Sequence, residues 1–251
     1  MGASDVIEVS EREGVALLRL AHGKANAMSL DFCEALTARF AAVSSARAVV
    51  LTGTGAVFSA GVDLVRLLEG GPPYIRKFLP ALSTMLATVF SHPAPVVAAI
   101  NGHAIAGGCV LACAADRRLM ARGGGGIGVT ELLVGVPFPP AAMEIMRWAT
   151  APQFFAEAIF GGATYSPIEA VGRGWIHDLV EPEALLDRAL ETANALAALP
   201  AKAFALSKRQ TREPALERMQ NQEIDAAIEQ IWTAPETLQR VRDYVARTLR
   251  K

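Results

Sequence analysis

The stretch that most limits how this chain can fold is Pro95-Val96-Val97-Ala98-Ala99-Ile100-Asn101-Gly102-His103-Ala104-Ile105-Ala106-Gly107-Gly108-Cys109. Residues 96–100 are a continuous apolar run closed by proline on one side and Asn-Gly on the other, the pattern of a strand buried on both faces. Gly107 and Gly108 then open an apolar helix predicted over 107–115. Glycine lets another backbone come close, and the first N–H groups of a helix have no partner inside it. A strand that runs into such a helix start suits a carboxylate, a phosphate or a developing oxyanion. The whole stretch 94–115 lacks charged side chains and has the length of a membrane span. Asn101, His103, glycines and a proline interrupt it, so a buried strand, turn and helix is the reading adopted.

A second stretch repeats the chemistry. Val49-Val50-Leu51-Thr52-Gly53 reads as a strand, followed by Phe58-Ser59-Ala60-Gly61-Val62-Asp63-Leu64. Gly61 permits a tight turn and Asp63 is placed to cap a helix. The N–H of Val62 is then also free of an intrahelical partner. Two such loops after two buried strands can present a pair of donors to one oxygen.

Composition excludes several classes of function. The 251 residues carry a net charge of −1 and only 6% aromatics, so neither a basic surface nor a base-stacking surface for nucleic acid is expected. With 52% hydrophobic residues a large core is expected. Cys33, Cys109 and Cys113 are odd in number and lie in apolar surroundings, which fits a reducing compartment rather than a disulfide framework. Cys109 and Cys113 stand one helical turn apart without a nearby histidine or acid, so small buried hydrophobes are favoured over a metal pair. The first residues show neither a basic start nor an apolar leader core, and the reading is a cytoplasmic protein without a membrane anchor.

In chain order, strands are predicted at 6–10 and 15–20, joined as a hairpin, then a helix from a Ser29 cap to 44 and a strand at 47–52. Gly70-Gly71-Pro72-Pro73 marks a break before a helix over 74–91, with Ile75, Phe78, Leu82, Met85, Leu86 and Val89 on one face. A strand follows at 116–121. Gly123-Gly124-Gly125-Gly126-Ile127-Gly128 contains G-x-G-x-x-G, but no helix clearly follows and no acid stands where a ribose needs one, so a mobile loop is expected instead of a dinucleotide site. Helices are predicted at 141–148 and 152–160, then at 167–173 behind a Ser166 cap, and a last strand at 175–180. From 182 the chain reads as helices at 182–198, 200–212, 215–233 and 235–249. The result is an α/β core, 1–198, with a helical C-terminal region, 199–251, and no internal sequence repeat.

Four segments carry a family resemblance: Lys24-Ala25-Asn26-Ala27-Met28, the stretch Phe58 to Leu64, the stretch Asn101 to Cys109, and Ala115-Asp116-Arg117-Arg118. In order and spacing the chain resembles the crotonase superfamily, the enoyl-CoA hydratase/isomerase family. The resemblance implies a spiral of ββα units whose helical C-terminal part serves trimer assembly, as a homotrimer or a hexamer of two trimers. It also implies an acyl-CoA thioester substrate, with coenzyme A entering as part of the substrate and no permanently bound cofactor or metal. The family's shared step stabilises a thioester enolate oxygen by two backbone N–H groups, which match Val62 and Gly107. For coenzyme A the resemblance points to Lys24 and Ala25 near the phosphates and pantetheine, the Ala60 carbonyl near the adenine, and Lys208 in a helix that approaches the cofactor from a neighbouring subunit.

The acid–base groups depart from the hydratase pattern. Of the two hydratase glutamates, one falls here on Val110, which cannot transfer a proton, and the other on Glu131. Adding water asks for two groups; moving a double bond from the 3,4 to the 2,3 position can use one. The pattern is therefore similar to the single-glutamate Δ3,Δ2-enoyl-CoA isomerases. Two alternatives stand beside it: a hydratase or other thioester reaction using a different acid such as Glu144, and a non-catalytic acyl-CoA binder in which Glu131 is only a local cap. By default Glu144 pairs with Arg147, His103 packs in its loop, and Asp116 is a structural acid. His22, His92 and His177 form no metal constellation, and Ser59 has no histidine that sequence can place beside it.

Overall fold

The computed structural model describes residues 6–123 and 125–248. The hairpin β1 (Ile7–Arg12) and β2 (Val15–Leu20) opens the chain, followed by α1 (Leu30–Ala42). Three units of the same plan come next. They are β3 (Ala48–Gly53), β4 (Val57–Ser59) and α2 (Leu64–Ser91); β5 (Val96–Ile100), β6 (His103–Ile105) and α3 (Gly107–Cys113); and β7 (Arg117–Ala121), β8 (Ile127–Gly128) and α4 (Glu131–Val134). Then come α5 (Pro140–Ala149), α6 (Pro152–Gly161), β9 (Thr164–Tyr165), α7 (Pro167–Gly172) and β10 (Asp178–Val180). A 3-10 turn at Pro182–Ala184 leads into α8 (Leu185–Ala197), α9 (Ala201–Arg218), α10 (Gln222–Thr233) and α11 (Pro235–Thr248).

The first strands of the three units lie side by side in a six-stranded sheet, β1-β2-β3-β5-β7-β10, parallel except for the β1–β2 hairpin. Their second strands repeat the same order in a smaller sheet, β4-β6-β8-β9. The chain therefore spirals, each ββα turn stacked on the one before. The repeat is structural: each turn needs only an apolar strand, a short second strand and a helix, and different residues meet that need.

Period-2 alternation explains the buried runs. Val96, Ala98 and Ile100 of β5 join Val49 and Leu51 in the main core under α1, α2 and α3. Val97 and Ala99 face the other way and pack with Val50, Leu119 and the α8 residues Leu185, Ala189, Leu190 and Ala193. A sheet covered on both faces requires strands without polar alternation, and burying each Val or Leu contributes roughly 1.5–3 kcal/mol.

The helix boundaries follow local chemistry. Ser29 Oγ accepts the Phe32 N–H and Asp63 Oδ1 accepts those of Val65 and Arg66. Ser166 and Glu169 form a reciprocal capping box at α7. Three expectations are corrected. The break at Gly70 to Pro73 is a kink inside one helix, α2: Gly71 takes φ 57° and the prolines occupy the first turn after it, where N–H groups have no partner anyway. The expected end of a helix at 212 does not occur; α9 runs through Pro214 to Arg218. The glycine run does not stay a loop throughout, because Ile127–Gly128 forms β8, pairing with β6 and β9; Gly124 lies outside the described residues, as does the final expected helix residue, Leu249.

The C-terminal helices fold back on the spiral. Ala215, Ile228, Trp232, Leu238 and Val241 belong to the same apolar core as Met28 and Phe58. Trp232 Nε1 donates to the Pro137 carbonyl at 3.0 Å. Among the described residues no helix is long and apolar enough to cross a membrane.

A buried charge cluster anchors α9. Asp116, at the entry to β7, accepts the Val96 N–H and the Lys208 ammonium on Oδ2, both at 2.7 Å, and the Arg212 guanidinium on Oδ1 at 2.8 Å. Arg212 also donates to the carbonyls of Phe90 and Ala114. Removing one partner of a buried ion cluster leaves uncompensated charge, which costs about 3–5 kcal/mol. Asp116→Ala is expected to lose stability on that order, read as a lowered midpoint in urea unfolding.

Candidate active site

Three loops leave the small sheet at the same end. β4 and β6 are parallel, with Ser59 opposite Ala104, and β6 and β8 are parallel, with Ile105 opposite Gly128. Leaving β4 the chain reaches Val62, leaving β6 it reaches Gly107, and leaving β8 it reaches Glu131. The bond from Ala106 N–H to the Gly128 carbonyl, 2.7 Å, locks the second exit to the third. The register of a sheet thus brings together three residues far apart in sequence.

Among the described residues neither the Val62 nor the Gly107 amide has a backbone acceptor, for a physical reason. Val62 forms a parallel bridge with Met28: Met28 N–H donates to the Gly61 carbonyl at 2.7 Å, and Asp63 N–H to the Met28 carbonyl at 3.0 Å. In a parallel ladder the residue between those two bonds points its own N–H to the opposite side, so the Val62 amide turns away from Met28. Gly107 is the first residue of α3, and its N–H has no intrahelical acceptor. Ala106, before it, adopts φ 51°. Alanine rarely takes that conformation, and such backbone strain concentrates at functional sites.

Close approach of the loops depends on glycine. A Cβ on Gly61, whose φ is +83°, would stand 3.0 Å from the Gly107 nitrogen; one on Gly108 would stand 2.1 Å from the Ser59 carbonyl oxygen. The β4 loop is held from its other side by Asn26, fully buried at φ 47°. Asn26 Nδ2 donates to the Val57 and Phe58 carbonyls, its Oδ1 accepts the His22 N–H, and its own carbonyl accepts Ser59 Oγ. Sequence reading singled out the motif around Asn26 without giving it this role. An asparagine in a loop does not announce which carbonyls it will meet.

Glu131 is the first residue of α4 and 9% exposed. Burial pushes its pKa up to about 8, partly offset by the backbone amides of Glu131 and Thr130. Its Oε2 is buried with no hydrogen-bond partner among the described residues. A carboxyl so placed is poised to exchange protons near neutral pH. Val110, one turn into α3, is fully buried and offers no proton-transfer group.

The other candidates separate. Glu144 has both oxygens occupied, by Arg147 at 3.1 Å and Arg218 at 2.7 Å. Lys24 is exposed, and Ala25 receives the Ala60 N–H on its carbonyl at 2.9 Å. Ala60 is exposed, and its carbonyl accepts no backbone bond among the described residues. Lys208, expected near coenzyme A, is 7% exposed, and its ammonium is bonded inside the fold to Asp116 and the Ala94 carbonyl. His103 is also corrected, since it is exposed and accepts the Gly126 N–H on Nδ1 instead of packing. Ser59 Oγ is spent on Asn26 and Gly61. Burial lowers His92 and His177 to about 4, so both are neutral. Among the described residues no group of three or more His, Cys, Asp or Glu is placed to hold a metal.

Residues 10–241 match the family model for enoyl-CoA hydratase/isomerase. The chain belongs to that family. Among its relatives, a Thermus thermophilus protein carrying an enoyl-CoA hydratase name is 34% identical over 192 residues, 74% of this chain and 72% of the relative. Human mitochondrial enoyl-CoA delta isomerase 1 is 27% identical over 222 residues, 86% of this chain and 74% of the relative. A solved structure of human mitochondrial delta3-delta2-enoyl-CoA isomerase superposes with a TM-score of 0.92 at 24% identity, covering 96% of this chain and 97% of that one, and it establishes the shared crotonase spiral. As a member of the enoyl-CoA hydratase/isomerase family, the protein is an enzyme acting on acyl-CoA thioesters.

Two outcomes follow from the site's packing and charge. Gly108→Ala forces a Cβ against the Ser59 backbone and is expected to cost about 1–3 kcal/mol in unfolding measurements. The raised Glu131 pKa means that the folded chain holds a proton the unfolded chain has released, from about 4.5 up to about 8. Stability therefore falls as pH rises through that window and stays lowered above it. Glu131→Gln removes this penalty, on the order of 3 kcal/mol at pH 7. Its melting temperature is expected to exceed the parent's at pH 7–8 and to match it near pH 4.

Proposed function

We propose that this enzyme is a Δ3,Δ2-enoyl-CoA isomerase in which Val62 and Gly107 form the oxyanion hole and Glu131 is the single proton shuttle. The observation that carries the reading is the buried Glu131 carboxyl, whose Oε2 has no partner among the described residues, at the exit of β8 next to the exits that carry the Val62 and Gly107 amides, with Val110 where a second acid would stand. The Glu131 carboxylate takes a proton from C2 of a 3-enoyl thioester. The C2–H electron pair moves into a C1–C2 double bond, and the negative charge settles on the thioester oxygen. The amides of Val62 and Gly107 stabilise that charge without reorganising, each donor contributing about 3–4 kcal/mol. Return of the proton to C4 shifts the remaining double bond to C2–C3 and restores the thioester carbonyl. One carboxyl serves both transfers, so the balance closes without water or a second acid.

Glu144 supports the same reading from the negative side, because two arginines hold it as an ion pair. Coenzyme A is placed along the exposed edge formed by Lys24, Ala25 and Ala60, and it leaves with the product. Trimeric assembly, alone or as a pair of trimers, belongs to this proposal, and sedimentation equilibrium reads it out.

The test is formation of conjugated 2-enoyl thioester from a short 3-enoyl-CoA, followed by absorbance. Glu131→Gln is expected to lower kcat by about 10²–10⁴-fold. Because the carboxylate is the active form, kcat/KM is expected to climb with pH and level off above about 8. Rapid hydration of 2-enoyl-CoA that survives in Glu131→Gln would overturn the assignment.

A further inference from the structure

The two proposed donors come from different turns of the spiral, and one residue touches both. Met28 is fully buried. Its backbone forms the bridge to Gly61 and Asp63 that aims the Val62 amide. Its side chain reaches the residue that carries the other donor: a Cβ on Gly107 would lie 3.1 Å from Met28 Sδ and 3.9 Å from Cε. The thioether therefore occupies the space beside the Cα of the residue that carries the second amide. The mount of this residue is rigid. On one side Asn26 is hydrogen-bonded to the Val57 and Phe58 carbonyls; on the other, Ser29 caps α1.

We propose that Met28 is a positioning residue that sets the separation of the Val62 and Gly107 amides. This inference rests on the oxyanion-hole reading above. The backbone bridge holds the Val62 loop whatever side chain stands at position 28, so the two halves of the role separate: the main chain fixes one donor and the thioether fixes the other relative to it. A two-donor hole demands that both N–H groups come within 2.7–3.1 Å of one oxygen. Gly107 and Gly108 bring no side chains of their own to brace that peptide. A side chain that extends to the δ position can lie against a glycine that a shorter one does not reach, and a polarisable thioether fills such an irregular gap well. Met28 touches no reacting atom in this scheme; its effect passes through Gly107.

Side-chain length separates positioning from mere core filling. Leucine at position 28 carries carbon out to the depth of the methionine sulfur, whereas valine stops one bond short of it. With Val62, Gly107 and Glu131 intact, Met28→Val is expected to lower kcat about tenfold to a hundredfold while KM stays within about threefold, the scale set by a sub-ångström to ångström misplacement of catalytic groups. Met28→Leu is expected to recover most of the parent kcat. The carbonyl carbon of bound hexanoyl-CoA labelled with ¹³C at C1 supplies a second readout. Hydrogen bonding in the hole shifts it downfield in the parent, and Met28→Val is expected to lose a large part of that shift at saturating ligand. Both variants are measured at a temperature where circular dichroism shows them folded. If folded Met28→Val keeps the parent kcat and the full carbonyl shift, Met28 is only core packing and the proposal falls while the oxyanion hole stands. If the parent itself shows no carbonyl shift on binding, the oxyanion-hole reading fails and takes this inference with it. Equal loss in Met28→Leu and Met28→Val also overturns it, because reach toward Gly107 would then not be what matters.

Discussion

The parallel register of three short strands is the constraint on which the site depends. β4, β6 and β8 are two or three residues each, yet their alignment makes the chain leave the small sheet three times at one end. Each exit delivers one group: an amide at Val62, an amide at Gly107, a carboxyl at Glu131. A shift of one residue in the β6–β8 pairing would turn alternate side chains to the other face and carry Glu131 away from Gly107. The longer parallel sheet behind them supplies the rigidity that such short strands lack. Its central strands β3, β5 and β7 are buried on both faces, and each is followed in the chain by a strand of the small sheet.

Burial is used in opposite ways at the two ends of this core. Near Asp116, one carboxylate holds two cations, and the saturated cluster ties α9 to the strand entries. At Glu131 burial comes without a partner for Oε2 among the described residues, and the carboxyl is pushed toward neutrality. The first arrangement favours a fixed charge and the second a movable proton. Stability and chemistry thus ask different things of the same low-dielectric interior. Glu144, paired with two arginines, belongs with the first kind.

The small residues around the site act through what they leave out. Gly61, Gly107 and Gly108 have no side chains where the loops meet, so the Ser59 and Gly61 backbones come within contact of the helix start. The same absence leaves that start without bracing of its own. Asn26 and Met28 supply support from the adjoining loop, which joins the region assigned to coenzyme A with the region assigned to the thioester oxygen. Conformations unusual for their residue types, φ 47° at Asn26 and 51° at Ala106, occur where these loops are pulled together.

Much of this was legible from residues alone. The apolar run 96–100, the glycines at 107 and 108, the caps at Ser29, Asp63 and Ser166, and the hairpin at the start are local signals. Local backbone preference and side-chain periodicity decide such features without reference to distant contacts. The motifs likewise pointed to Val62, Gly107 and Glu131 and to the missing acid at Val110. Sequence could not say what a side chain meets after the chain has closed on itself. Lys208 looks like a free cation in its helix, but it lies buried against Asp116 because α9 folds back over the strand entries. His103 looks like packing and is a surface acceptor for Gly126. The pattern predicts a helix that ends at 212, yet α9 continues through Pro214 to Arg218. The identity of groups able to do chemistry was therefore set by sequence. Which of them are paired, which are left free, and how far apart the free ones stand were decided by tertiary packing, because those properties belong to contacts between residues that only the fold makes neighbours.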